Sequence, residues 1–176
     1  VAGNVFNPGP YTLNGNSNVF HALSVSGGPS DIGSFREIEL VRNNKVIETI
    51  DLYDTFIYGK SSFNQRLRSG DIVFVKPVQN LVSIIGGVKR PFVYELKNSD
   101  SLDKAISFAN GLSADADTSD VNLYRLVDGK VEGISISNID ELKSFSPVDN
   151  DRLVIRRFSF RSVEIVGAVN NPGTYI

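Results

Sequence analysis

Apolar residues along this chain come in short runs, each bounded by Gly, Pro, Asn, Asp or Ser, and the pattern of runs predicts an alternation of hairpins and short helices. Residues 1–6 and 10–13 flank Asn7-Pro8-Gly9. Pro at the second turn position and Gly at the third suit a type II turn, so this stretch reads as a hairpin. Asn16-Ser17-Asn18 offers capping side chains to a helix over 19–26, and Gly27-Gly28-Pro29 supplies its stop. Residues 38–42 and 46–50 form a second pair of strands around the polar turn Asn43-Asn44-Lys45. A short helix is expected over 52–58, and Leu67-Arg68-Ser69-Gly70-Asp71 turns the chain into a buried strand over 72–77.

The same order then recurs in different letters. Arg90-Pro91 marks the first turn, Ser99-Asp100-Ser101 is the expected cap of a helix over 102–110, and Gly111 ends it. Asp128-Gly129 turns between strands over 121–126 and 131–136, and 152–156 repeats the last strand. The opening phrase itself is written three times, led by Gly3, Gly86 and Gly167, with Pro8, Pro91 and Pro172 at its turn and Tyr11, Tyr94 and Tyr175 closing it. A spacing of 83 and then 81 residues between those glycines is that of small domains, well beyond the ~20 to 50 residues of a solenoid turn. The expected organisation is a unit over 1–79, a second over 80–160 and the start of a third over 161–176. A chain cut through a repeat at both ends, with no Met, is expected to be a fragment of a longer protein. A hairpin, one helix, a second hairpin and a last strand make a small sheet with a helix across one face, the β-grasp arrangement in the α+β class.

Composition narrows the chemistry. With 41% hydrophobic and 22% charged residues the chain reads as globular, and no run approaches the ~18 apolar residues of a membrane helix. The absence of Cys removes disulfides, thiolate metal sites and a Cys nucleophile. A net charge of -2 gives no general attraction to nucleic acid. There is no G-x-G-x-x-G, no G-x-x-x-x-G-K-[ST] and no G-x-S-x-G, and neither a cofactor nor a catalytic constellation is expected.

The string from Val1 to Leu13 reads V-x-G-x-V-x-N-P-G-x-Y-x-L. A short helix ending Ser26-Gly27-Gly28 follows, then Ile50-Asp51-Leu52 and Leu67-Arg68-Ser69-Gly70-Asp71-Ile72-Val73-Phe74-Val75. In this order the residues resemble the soluble-ligand-binding β-grasp (SLBB) domain of bacterial polysaccharide export proteins of the Wza type, over nearly the whole chain. The resemblance implies periplasmic domains of an outer-membrane machine that secretes capsular or extracellular polysaccharide, stacked as rings around a channel in a homo-oligomer. It implies the secreted polysaccharide as a partner, and an inner-membrane polysaccharide co-polymerase as a further one. The second copy departs from the pattern, with Arg90 for Asn7, Phe92 for Gly9 and Asn150 for Gly70.

Several residues invite a specific role. The recurring tyrosines suit stacking on sugar rings, although a residue held at one hairpin position in each copy is more simply a packing residue over its own core. The run Asp115-Ala116-Asp117-Thr118-Ser119-Asp120 opens with the spacing of oxygen ligands in a calcium loop, but Asp120 stands where that loop needs Gly and Leu126 where it needs Glu, so a solvated loop is expected. His21, the single histidine, is expected at the exposed side of its helix. Arg152, Arg156, Arg157 and Arg161 lie where the second unit hands over to the third, and Lys89 and Arg90 at the corresponding earlier handover. Their cations suit carboxylates of a neighbouring protomer or acidic sugars of a polymer, and equally a solvated strand edge that discourages unwanted pairing.

Overall fold

The computed structural model describes residues 1–61, 63–158 and 163–175. Its first sheet is built from β1 (Ala2–Gly3), β2 (Gly33–Arg42), β3 (Lys45–Ile50) and β4 (Ile72–Pro77), in the order β1-β4-β2-β3, with α1 (Val19–Val25) and α2 (Leu52–Phe56) between them in sequence. A second sheet repeats the plan with β5 (Asn80–Gly86), β6 (Phe92–Leu96), β7 (Ala116–Val127), β8 (Lys130–Ile136) and β9 (Arg152–Arg157), in the order β6-β5-β9-β7-β8. α3 (Asp103–Phe108) and a 3₁₀ turn (Ile139–Ser144) complete it. The fold is α+β, two β-grasp-like sheets in tandem.

Each core forms where a helix lays its apolar stripe on one sheet face. Val19, Ala22 and Leu23 of α1 meet Ile38, Leu40 and Val75, while Ala105 and Phe108 of α3 meet Val121, Leu123 and Ile155, all buried. The hairpins β2–β3 and β7–β8 turn on two residues with left-handed backbone, Asn43 and Asn44 (φ 49° and 59°) and Asp128 and Gly129 (φ 48° and 76°), the pattern whose twist matches paired strands. One ion pair is repeated as well. Arg42 donates from Nε and Nη2 to the Asp71 carboxylate, both at 2.7 Å, and Arg125 does so to Asp151 at 2.8 and 2.7 Å. Each aspartate also accepts a backbone N–H, from Arg68 or Val148, so the pair pins the turn entering the last strand of its sheet. Its bond to Arg42 holds the Asp71 carboxyl below the ordinary carboxylate range.

The repeated phrase folds differently from the tight turn that its Pro and Gly predict. Val1 exchanges both backbone bonds with Gly9 at 2.8 and 2.9 Å, and Ile84 and Ile165 lie opposite Phe92 and Gly173, so a wide arch forms in each of the three copies; it joins two strands in the second and third, whereas residues 10–13 of the first, expected as a strand, form none. The chain runs one step further, along β4 or β9, before Gly3 (φ 84°) and Gly86 (φ 89°) turn it inward. A Cβ there would lie 2.1 Å from the Val75 oxygen or 1.9 Å from that of Ile155, which excludes a side chain. Val5 and Val88 then enter the cores. Gly9 has φ 157°, far from the value a type II turn requires.

The first helix is capped as expected: Asn18 Oδ1 accepts from the His21 N–H at 3.2 Å, and the His21 ring reaches back to the Asn18 N–H at 3.3 Å. The second is not. α3 has no side-chain cap, because Ser101 bonds Asp103 and the Asp100 carboxylate is drawn to the Lys97 N–H and to Arg36 of the first sheet.

Candidate functional site at the junction of the two sheets

Only Val78 and Gln79 separate β4 from β5, and the two units meet through side chains that converge on Arg36. On β2 the buried positions alternate through Ser34, Arg36, Ile38 and Leu40, which carries a guanidinium inward at the end of the strand facing the second sheet. Arg36 Nε donates to Asp51 Oδ2 at 3.1 Å, and Nη1 donates to the Glu95 carbonyl at 3.1 Å and to Asp100. Its Cζ lies 4.8 Å from the centroid of Phe108 and 5.3 Å from that of Tyr53, within cation–π range of both rings. Burial alone would lower the Arg36 pKa, but the bond to Asp100 and the charges of Asp51 and Asp100 hold it above the ordinary value.

Glu95 answers from the other side. Its carboxylate accepts from Ser34 Oγ at 2.5 Å and from the Phe35 N–H at 2.8 Å, and its own N–H donates to Tyr53 Oη at 3.0 Å. Burial pushes its carboxyl upward against those two bonds, and burial likewise pushes the Tyr53 phenol up to about 12. Tyr53 stands edge-on to Phe108 at 4.9 Å, and with Ile57 it packs on the core of the second sheet. α2 of the first unit is therefore a plug in the second. Sequence reading missed Arg36 and Glu95. The available signal was an arginine at the inward parity of an apolar strand, where burial requires a partner.

The structure disperses the six cations singled out in the sequence. Arg152 sits on the face of the second sheet opposite α3, beside Tyr124, with no carboxylate partner among the described residues. Arg156, about 13 Å further along β9, pairs with Asp120 at 2.9 Å. Arg157 lies 3.7 Å from Asp115 and donates to the Gly86 carbonyl at 3.0 Å. These are surface pairs, screened by solvent and weakly stabilising. Lys89 and Arg90 lie exposed on the arch after β5, without an ion pair among the described residues, and Arg161 lies outside those residues. Asp115 and Asp117 accept from Ser113 and Ser119, and no group of three or more acids or histidines that could hold a metal occurs among the described residues.

Two of the phrase tyrosines use one bond in two settings. Tyr11 Oη donates to the Asn7 carbonyl at 2.7 Å and Tyr94 Oη to that of Arg90 at 2.8 Å. Tyr94 is only 5% exposed, covered in part by Tyr53, whereas Tyr11, with no such neighbour, is 37% exposed. Pro8 and Pro91 sit on the exposed crests of their arches, and so does Pro172. Gly167 (φ 105°) takes the left-handed backbone of Gly3 and Gly86, and Tyr175 ends β11 (Gly173–Tyr175), paired with β10 (Val163–Ile165). Beside the junction a cleft of about 270 Å³ opens between Tyr53, Phe56 and Ile57 of the first unit and Arg90, Phe92 and Tyr94 of the second.

No helix among the described residues is long and apolar enough to cross a membrane. Two curated proteins from Escherichia coli, each described as polysialic acid transport protein KpsD, are similar to this chain, 31% identical over 111 residues. That alignment covers 62% of this chain and 20% of each relative, so the chain spans about a fifth of their length. The SLBB domain family matches residues 1–50 and 81–135, two segments that run from the arch through the helix into the second hairpin of each sheet and together make up more than half the chain. A repeated match at the same structural elements, in the same order, places this chain in the SLBB domain family.

Proposed function

We propose that this chain is a run of non-catalytic SLBB domains, 1–79 and 80–160 with the start of another over 161–176, from a bacterial polysaccharide export protein. The domains act in the periplasm, associated with the outer membrane, as the body of a homo-oligomeric channel. Their partners are neighbouring copies, the secreted polysaccharide and the inner-membrane polysaccharide co-polymerase. The kinship with a polysialic acid transport protein supports the export role and makes an acidic polymer the natural cargo.

The observation that carries this reading is the Arg36 junction. A binding module on a flexible tether has no need of a buried guanidinium held by Asp51 of its own unit and by Asp100 and the Glu95 carbonyl across its boundary, whereas a wall built from stacked domains needs a fixed angle between them. Head-to-tail contacts between such rods close naturally into rings. Sedimentation velocity over a wide concentration range, at low and high salt, tests it. A discrete oligomer supports ring-forming contacts in these domains, and a monomer throughout moves assembly to other parts of the parent protein.

A further inference from the structure

The cleft beside the junction is lined where the second copy of the phrase departs from the other two. Asn7-Pro8-Gly9 in the first copy and Asn171-Pro172-Gly173 in the third become Arg90-Pro91-Phe92 in the second. The arch does not require these changes, since the backbone pairing opposite Gly9, Phe92 and Gly173 has the same register in all three. Their effect is on the surface: Phe92 is 70% exposed, a costly position for a ring, and it stands 5.9 Å from Tyr94 across from Phe56, itself 55% exposed. Arg90 closes one side with its guanidinium unpaired among the described residues, Lys89 adjoins it, and no carboxylate lines the space.

We propose that this cleft binds one carboxylated sugar residue of the exported polymer, a deepening that rests on the export reading above. Aromatic faces at a half-open cleft accept the C–H face of a pyranose, and a free guanidinium donates two parallel N–H bonds to its carboxylate. A volume of about 270 Å³ falls below that of pockets for drug-sized ligands, so the cleft admits a single ring of a chain that continues into solvent. Because Arg36, Glu95 and Tyr53 fix the walls relative to one another, the cleft is formed before the sugar arrives. The affinity of one such subsite is low, which suits a polymer that must move on.

The test is amide-resolved NMR titration of the 176-residue chain with a sialic acid trisaccharide, a galacturonic acid trisaccharide and neutral maltotriose. The double variant Arg90→Asn, Phe92→Gly, which rewrites the phrase as the other copies carry it and so keeps the fold, serves as the comparison. The expected result is saturable shifts around Arg90, Phe92 and Phe56 with at least one acidic trisaccharide, none with maltotriose, and binding weakened at least about tenfold in the variant. Shifts that map elsewhere, or that the variant leaves unchanged, overturn the cleft while leaving the export reading standing. So does the absence of sugar binding combined with loss of self-association in the variant, which would give Arg90 to a neighbouring protomer. A monomer that binds acidic sugar in the cleft upholds the site and moves ring assembly to other parts of the parent protein.

Discussion

The guanidinium carbon of Arg36 and the ring of Phe108 lie 4.8 Å apart although they belong to different units, and neither residue has a counterpart of its kind in the other unit. By the register of the strands Ser119 stands where Arg36 stands, and by the matching bonds that close the two helices, from Gly28 to Leu23 and from Gly111 to Ile106, Val25 stands where Phe108 stands. The junction is therefore an addition to the repeat and not a property of it.

Arg36→Ala removes three bonds, leaving the buried Glu95 carbonyl without this donor and the half-buried Asp100 with its bond from the Lys97 N–H. Loss of one partner from a buried charge cluster costs about 3 to 5 kcal/mol. Urea unfolding followed by circular dichroism is expected to split into two transitions in the variant, with the sheets melting separately. A single transition at an unchanged midpoint would remove Arg36 from any role in coupling them.

Glu95 gives the junction a pH dependence of definite sign. Burial raises its carboxyl above the unfolded value near 4.5, so the folded chain holds this proton more tightly than the unfolded chain. Stability from this group is full below that value and declines as the pH climbs through the raised folded pKa. Asp71, held low by Arg42, works oppositely: its contribution is present above 3.8 and is lost as the pH falls through its depressed folded pKa. Stability measured by urea titration is expected to rise on leaving strong acid and then slope downward from about pH 4.5. In Glu95→Gln, which still offers one acceptor and one donor, the downward slope is expected to vanish.

The paired tyrosines separate packing from surface. Tyr94→Ala opens a space against Tyr53 and Phe108 and is expected to cost roughly 3 to 5 kcal/mol, as for other buried aromatics. Tyr11→Ala, at a half-exposed site with the same hydroxyl bond, is expected to cost about 1 kcal/mol. Equal losses in thermal melts would mean that the bond to the arch carbonyl, common to both, is what matters.

Local chemistry was readable where it acts locally. Asn18 as a cap and Asn43-Asn44 and Asp128-Gly129 as turns follow from side chains that bond or bend their own neighbourhood, and the structure places them so; 72–77 is a strand as expected, but it buries only Val73 and Val75 and leaves Ile72 and Phe74 exposed. The phrase misled because Gly3 and Gly86 answer to carbonyls of Val75 and Ile155, some seventy residues on, and this outweighs the turn preference of Pro and Gly beside them. Asp100 misled for a related reason: it has the composition and place of a helix cap, but a buried arginine from another unit binds it more strongly than a helix N–H would. The cleft was half visible. Arg90 and Phe92 stood out as departures from the repeat, but nothing in the sequence puts Phe56 across from them.

In both sheets the first and last strands are parallel neighbours, β1 beside β4 and β5 beside β9. The chain thus enters and leaves each sheet along adjacent tracks that point the same way. Tension between its two ends loads the ladder between those tracks in shear, so that its hydrogen bonds must fail together and cannot unzip in turn. In β5–β9 that ladder spans Ser83 to Gly86 against Arg152 to Ile155. Pulled end to end in an atomic force microscope, the second sheet is expected to yield in one abrupt step, which a gradual lengthening would contradict. A wall assembled from such pieces resists stretching along the chain more strongly than it resists peeling.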